Sequence, residues 1–216
     1  VNKAIAWEVG SEEDALLALA GHASPEFYYQ DRLQRAEEVK QVCGIRPGHR
    51  IFEIGSGDGT VAKILSSNCA KLDCNDISDS FLNKARRNCA GIPNIAFHTI
   101  VNYLEHLPGA SYDSGFSLNV FIHFNPYEIF CYLHEVKRLL KGGGRFYFDA
   151  CTLGDQTLAL YREQAIAYKE DRSRLPGLLN FNHPELIARI IQEVGLHDVS
   201  APVSHSGGWL KFLVEK

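Results

Sequence analysis

The ten residues IFEIGSGDGT (51–60) constrain this chain more than any other stretch. IFEI is short and apolar apart from Glu53, and glycine closes it, so it reads as a buried strand. Glycine then takes alternate positions, Gly55, Gly57 and Gly59, before TVAKILSSN (60–68) continues as a helix. In a doubly wound sheet a strand-to-helix turn of this kind meets the ligand, because glycine accepts positive φ and lets the backbone come close to a bound molecule. The spacing G-x-G-x-G leaves Thr60 where the dinucleotide pattern needs its third glycine. Glu53 points the same way: a carboxylate so near repels a pyrophosphate and suits a ligand that carries positive charge.

The rest of the chain repeats the alternation. AKLDCND (70–76) reads as a second strand, and SDSFLNKARRNCAG (78–91) as a helix with Ser78 as its N-cap. Further strands fall on NIAFHTI (94–100), YDSGFSLNV (112–120) and GRFYFDA (144–150), with a helix over 126–141. Residues 11–44 and 155–171 read as helical additions. HPELIARIIQEVG (183–195) has Asn182 or His183 as cap, Pro184 in the first turn and Gly195 as its stop. LHDVSAPV and GGWLKFLVEK then supply two closing strands. Seven strands interleaved with helices predict an α/β fold with a mostly parallel, doubly wound sheet and helices on both faces.

Composition narrows the partners. The 216 residues carry 22 Lys plus Arg against 26 Asp plus Glu, a net charge of −4, which disfavours nucleic acid. No run approaches the ~20 apolar residues of a membrane span. ALLALAG (15–21) follows Ser11-Glu12-Glu13-Asp14, acidic where a secretory signal is basic. Cys43, Cys69, Cys74, Cys89, Cys131 and Cys151 form no Cys-x-x-Cys pair, so the expectation is reduced thiols and a cytoplasmic protein. The oligomeric state leaves no mark in the sequence.

EIGSGDG (53–59) followed by NDIS (75–78) resembles the class I S-adenosylmethionine-dependent methyltransferases, whose first motif is an acid followed by G-x-G-x-G. The resemblance covers residues 40 to 150 well and the remainder in outline. It implies a Rossmann-like, seven-stranded sheet whose last strand is antiparallel, and S-adenosyl-L-methionine as cofactor. It implies one methyltransferase domain over 1–216, with 11–44 as an N-terminal cap or lid and 155–182 as an inserted substrate-side segment. Cofactor contacts then fall on Glu53, Gly55, Gly57 and Gly59, and on Asp76 with Ile77. At the tip of the second strand the Asp76 carboxylate can accept both ribose hydroxyls; its rival role is a turn or helix cap. The family's adenine-binding Asp after the third strand is missing. Val101 stands there with Asn102 next, so Asn102 or the backbone of 101–103 reads the base.

The methyl acceptor is expected over the loop after the fourth strand, LNVFIHFNPYE. Asn119 lies near the cofactor's methionine end. His123 is the candidate general base, with a packing histidine as the alternative. NPYE (125–128) resembles the N/D-P-P-Y/F motif of amino-group methyltransferases, but it has one proline and comes a turn late. Asn125, Pro126 and Glu128 read more simply as a helix cap. In EFYYQDRL (26–33), Phe27, Tyr28 and Tyr29 either form a lid, with a Tyr hydroxyl on the cofactor carboxylate, or pin the helix to the core. Asp149 and His22 are further candidates, and no metal is expected. The implied function is methyl transfer to a hydroxyl or amine of a small molecule. The alternatives are an RNA or protein acceptor, or a cofactor-binding protein without catalysis.

Overall fold

The computed structural model describes residues 7–11, 18–19, 24–172, 178–200 and 207–216. The strands are β1 (Arg50–Ile54), β2 (Lys71–Asp76), β3 (Ile95–Thr99), β4 (Tyr112–Ser117), β5 (Leu140–Cys151), β6 (His197–Asp198) and β7 (Trp209–Glu215). The helices are α1 (Pro25–Val42), α2 (Thr60–Leu65), α3 (Asp79–Asn88), α4 (Pro126–Leu139), α5 (Leu158–Glu170) and α6 (Pro184–Val194). One seven-stranded sheet runs in the order β3-β2-β1-β4-β5-β7-β6. All pairs are parallel except those that β7 makes with β5 and β6. The chain winds outward from β1 to β3 and restarts beyond β1 at β4. A crevice therefore opens between the carboxyl ends of β1 and β4, where open α/β sheets hold ligands.

Period-two alternation builds both faces. Ile51 and Phe52 are neighbours in β1, yet Ile51 packs with Val39, Val61 and Leu65 of α1 and α2, while Phe52 packs with Leu133, Phe146 and Ile191 on the other side. Tyr147 and Phe148 divide in the same way. Burial of each such side chain stabilises by roughly 1.5–3 kcal/mol, so the two apolar layers hold the sheet between them. Ser78 caps α3 as expected, its Oγ accepting the N–H of Phe81 at 3.2 Å.

NPYE is a helix cap. Asn125 Oδ1 accepts the N–H groups of Tyr127 and Glu128, and Glu128 Oε2 accepts the N–H of Asn125 at 2.9 Å. Several boundaries differ from expectation. β4 stops at Ser117, because Asn119 has φ of 59° and turns the chain out of the sheet. α4 ends at Leu139, where Leu140 turns extended and starts β5. In LHDVSAPV only His197 and Asp198 pair as strand among the described residues.

Candidate active site

The crevice is a cavity of about 600 Å³, well inside the roughly 300–1,000 Å³ of small-ligand sites. It brings together Tyr28, Glu53, Gly55, Gly57, Asp76, Ile77, Val101, Asn102, Asn119 and His123. Gly59 is not on its wall. A Cβ there would stand 2.9 Å from Cβ of Ala85 and 3.2 Å from Sγ of Cys89, so this glycine lets α2 pack on α3. Gly55 also needs its bareness for a protein neighbour, since an added Cβ would meet Cγ2 of Val120 at 2.1 Å. At Gly57 the φ of 52° is the stronger demand.

Asp76 ends β2, where the register places it beside Thr99 of β3 and one residue beyond the partner of Ile54. Its Oδ2 accepts the N–H of Gly57 at 2.9 Å and its Oδ1 the N–H of Ser78 at 3.0 Å. Each oxygen keeps a lone pair for a further donor. Burial raises its pKa, opposed by the N–H groups of Ser78, Gly57 and Ile77. Asp73, its neighbour on the strand, belongs to a different environment. It is 1% exposed and bonds Arg50, Tyr112 and His98 away from the cavity.

Glu53 is buried in β1, and Cys74 Sγ donates to its Oε2 at 3.7 Å. Burial pushes its pKa up to about 8, and the nearby Asp76 and Asp58 add to the rise. Burial thus opposes the charged form of the carboxyl, and a bound cation beside it would favour that form again.

The rim after β3 carries Val101, 91% exposed, and Asn102, whose Nδ2 donates to Glu105 Oε1 at 2.6 Å. Tyr103, unremarked in the sequence, turns inward with φ of 45° and sets its ring edge-on to Tyr132 at 5.0 Å. Both tyrosines line the cavity. The positive φ has no sequence signal at a tyrosine.

From α1, only Tyr28 of the three aromatics reaches the cavity; Phe27 and Tyr29 are 67% and 49% exposed. Neither therefore pins the helix to the core. Tyr28 donates its hydroxyl to Asp58 Oδ1 at 3.1 Å, which raises its pKa further beyond the rise that burial causes. One turn on, Arg32 also lines the cavity, a residue that no sequence motif marks. Its guanidinium lies 5.1 Å from the Tyr28 ring centre, and its Nε is buried without a hydrogen-bond partner. Asp149 stands behind the wall. Its Oδ1 accepts the N–H of Asn119 at 2.8 Å, and burial pushes its pKa up to about 6 against the pull of Arg35. His22 lies outside the described residues.

His123 closes a short 3₁₀ turn, Phe121–His123, after β4. Its Nδ1 is 3.1 Å from the carbonyl oxygen of Leu178. A carbonyl only accepts, so Nδ1 carries the proton and the neutral ring keeps its lone pair on Nε2. The ring of Trp7 meets it edge-on at 4.8 Å. Residues 178–182 strap this turn: Asn180 Nδ2 donates to the carbonyl of His123 and Asn182 Nδ2 to that of Phe124, both at 2.8 Å. Among the described residues no cluster of three His, Cys, Asp or Glu side chains is arranged to hold a metal ion.

The donor set suits a nucleoside joined to an amino acid: a carboxylate beside Ile77 at one end, an orphaned buried guanidinium nitrogen at the other, and a glycine loop between. Residues 52–148 match a family model described as a methyltransferase domain. The fold recurs in solved structures. Magnesium protoporphyrin IX methyltransferase from Synechocystis, with bound S-adenosylhomocysteine, is 18% identical, with a TM-score of 0.68 over 94% of both chains. An S-adenosylmethionine-dependent methyltransferase from Mesorhizobium loti is 15% identical, with a TM-score of 0.65 over 85% of this chain and 100% of that one. A phosphoethanolamine N-methyltransferase from Haemonchus contortus is 14% identical, with a TM-score of 0.67 over 96% of this chain and 61% of that one. Fold and family match together define a methyltransferase. The family match over residues 52–148 and the shared fold support a class I S-adenosylmethionine-dependent methyltransferase with S-adenosylmethionine as cofactor.

Proposed function

We propose that this enzyme methylates a hydroxyl or amine of a small molecule, with His123 as the general base. The observation that carries the reading is the place of His123 on the cavity wall just beyond β4, with its ring held by the Nδ1 bond to Leu178. The bound cofactor supplies an electrophilic methyl group on a sulfonium. Asp76 accepts the ribose hydroxyls, Ile77 with Val101, Asn102 and Tyr103 surrounds the base, and Asn119 lies at the methionine end. Glu53, Gly55 and Gly57 shape the floor. Tyr28 and α1 cover the site and keep water from it.

The small-molecule acceptor is supported by the net charge of −4 and by the cavity's aromatic wall, which Trp7, Phe124 and Trp209 line together with His123. Two of the structural neighbours carry names that specify small acceptors, magnesium protoporphyrin IX and phosphoethanolamine. No described helix is long and apolar enough to cross a membrane, and all six cysteines are free thiols, in keeping with a cytoplasmic enzyme. The test is S-adenosylhomocysteine release from S-adenosylmethionine, with panels of small phenols, alcohols and amines set against total tRNA and a dialysed protein extract. Release with a small acceptor that His123→Ala abolishes is the expected result. Release only with tRNA or protein overturns the acceptor class.

A further inference from the structure

We propose that Asn75 is a positioning residue for the cofactor: through His106 it fixes the rim loop after β3 against the glycine loop after β1, so that the rim can read the adenine base. The inference rests on the cofactor assignment above. Asn75 lies in β2, one residue before Asp76, and is 0% exposed. It is not part of the cavity wall and acts through its neighbours. Its backbone carbonyl accepts the N–H groups of Gly55 at 2.7 Å and Ser56 at 3.2 Å, so this residue already holds the start of the glycine loop.

The side chain of Asn75 carries the tie to the rim. Nδ2 donates to the carbonyl oxygens of Glu53 at 2.9 Å and Asp73 at 3.0 Å, which fixes the orientation of the amide and leaves Oδ1 as an acceptor. His106 Nε2 lies 2.8 Å from that oxygen, so Nε2 carries a proton and donates it. Loss of this donor would strand a buried oxygen, so the bond favours the native placement of the loop that carries His106.

That loop is compact. The N–H of Leu107 bonds the carbonyl of Leu104 at 2.9 Å, and the N–H of Glu105 that of Asn102 at 3.4 Å. Glu105 Oε1 takes the Asn102 amide hydrogen, which leaves Oδ1 of this wall residue as an acceptor. An acceptor suits the 6-amino group of adenine and repels a 6-oxo group. Arg138 of α4 steadies the far side of the loop, donating to the carbonyls of Leu104 and Leu107, both at 2.9 Å. Arg138 ties the rim to a helix, whereas Asn75 ties it to the glycine loop. One buried amide thus sets the spacing of the two loops that close on the nucleoside.

Calorimetry with S-adenosylhomocysteine and with S-inosylhomocysteine, in which a 6-oxo group replaces the 6-amino group, tests the assignment. Wild type should bind the adenine ligand at least about tenfold more tightly. His106 is exposed, so its variants should fold. His106→Leu removes the donor and should weaken S-adenosylhomocysteine about 5- to 20-fold, while S-inosylhomocysteine changes less than about twofold. His106→Gln keeps an N–H within reach of Oδ1 and should retain the wild-type preference. Asn75→Ala should lose at least as much as His106→Leu, and the double variant no more than Asn75→Ala, as for residues in one network. Equal wild-type affinities, equal losses for both ligands in His106→Leu, or no loss there overturns the proposal. So does a His106→Gln variant as impaired as His106→Leu, or a folded Asn75→Ala that keeps the preference. Should Asn75→Ala fail to fold, the two His106 variants decide by the same criteria. Wild type that binds neither ligand fails the cofactor assignment itself, a separate result.

Discussion

The Oδ2 atom of Asp76 lies 2.9 Å from the backbone nitrogen of Gly57, so the tip of β2 and the loop after β1 form one bonded unit. Asp76→Ala should therefore act on the ligand twice, by removing the acceptors for ribose and by releasing the glycine loop. Loss of charge-assisted hydrogen bonds worth roughly 1.5–3 kcal/mol should raise the dissociation constant for S-adenosylhomocysteine by about 10- to 100-fold. Calorimetry on the folded variant checks this, and an unchanged constant would place ribose recognition elsewhere.

Gly57→Val should abolish cofactor binding. Its φ of 52° is one that branched residues avoid, and an added Cβ would press on Leu19 Cδ2 at 3.0 Å. Circular dichroism should show a folded sheet alongside the lost binding. A variant that binds normally would show that the loop tolerates a side chain.

His123→Ala should lower single-turnover rate by about 10²–10⁴-fold and leave cofactor affinity nearly intact. The wild-type rate should depend on pH in a way the variant's does not. A packing role predicts instead a lower melting temperature and little change in rate. A wild-type rate flat from about pH 5.5 to 8.5, matched by the variant, would remove His123 from the mechanism.

Glu53 has a folded pKa near 8 against an unfolded value of about 4.3. Between those values the folded chain holds a proton that the unfolded chain releases. Stability should therefore fall as pH rises through that window, by at most about 1.4 kcal/mol per pH unit for this group. Glu53→Gln should flatten the slope measured by urea denaturation from about pH 5 to 8. An unaltered slope would mean that the carboxyl ionises normally.

Asp73 has the opposite sign. Burial raises its pKa, but the bonds from His98, Arg50 and Tyr112 outweigh that and hold it below the usual carboxylate range. Its stabilisation is present above the unfolded pKa of about 3.9 and is lost as pH falls through the folded value. Asp73→Ala should cost roughly 2–4 kcal/mol, because it strands the buried Tyr112 hydroxyl and the Arg50 charge. Denaturation gives the cost, and calorimetry on the folded fraction should show unchanged cofactor affinity. A weakened affinity would make Asp73 part of the site.

The sequence alone determined what depends on neighbours along the chain. The short apolar run of RIFEI, closed by glycine, marked a buried strand because a strand covered on both faces is apolar nearly throughout. Asn125-Pro126-Tyr127-Glu128 announced its cap because every bond in that box spans three residues or fewer. The glycine loop and Asp76 were legible because a strand-to-helix turn is a local event. Tertiary structure decided the rest. Glu53 reads as an ordinary acid until burial raises its pKa, and burial belongs to the assembled sheet. Gly55 and Gly59 look like ligand positions until Val120 and Ala85 arrive beside them from other elements. The tautomer of His123 is chosen by Leu178, 55 residues away. Arg32, Asn119 and Asp149 share no motif, and only the crossing of α1 over the tips of β4 and β5 brings them together. Their chemistry is one of distance and desolvation, and the linear order of residues carries neither.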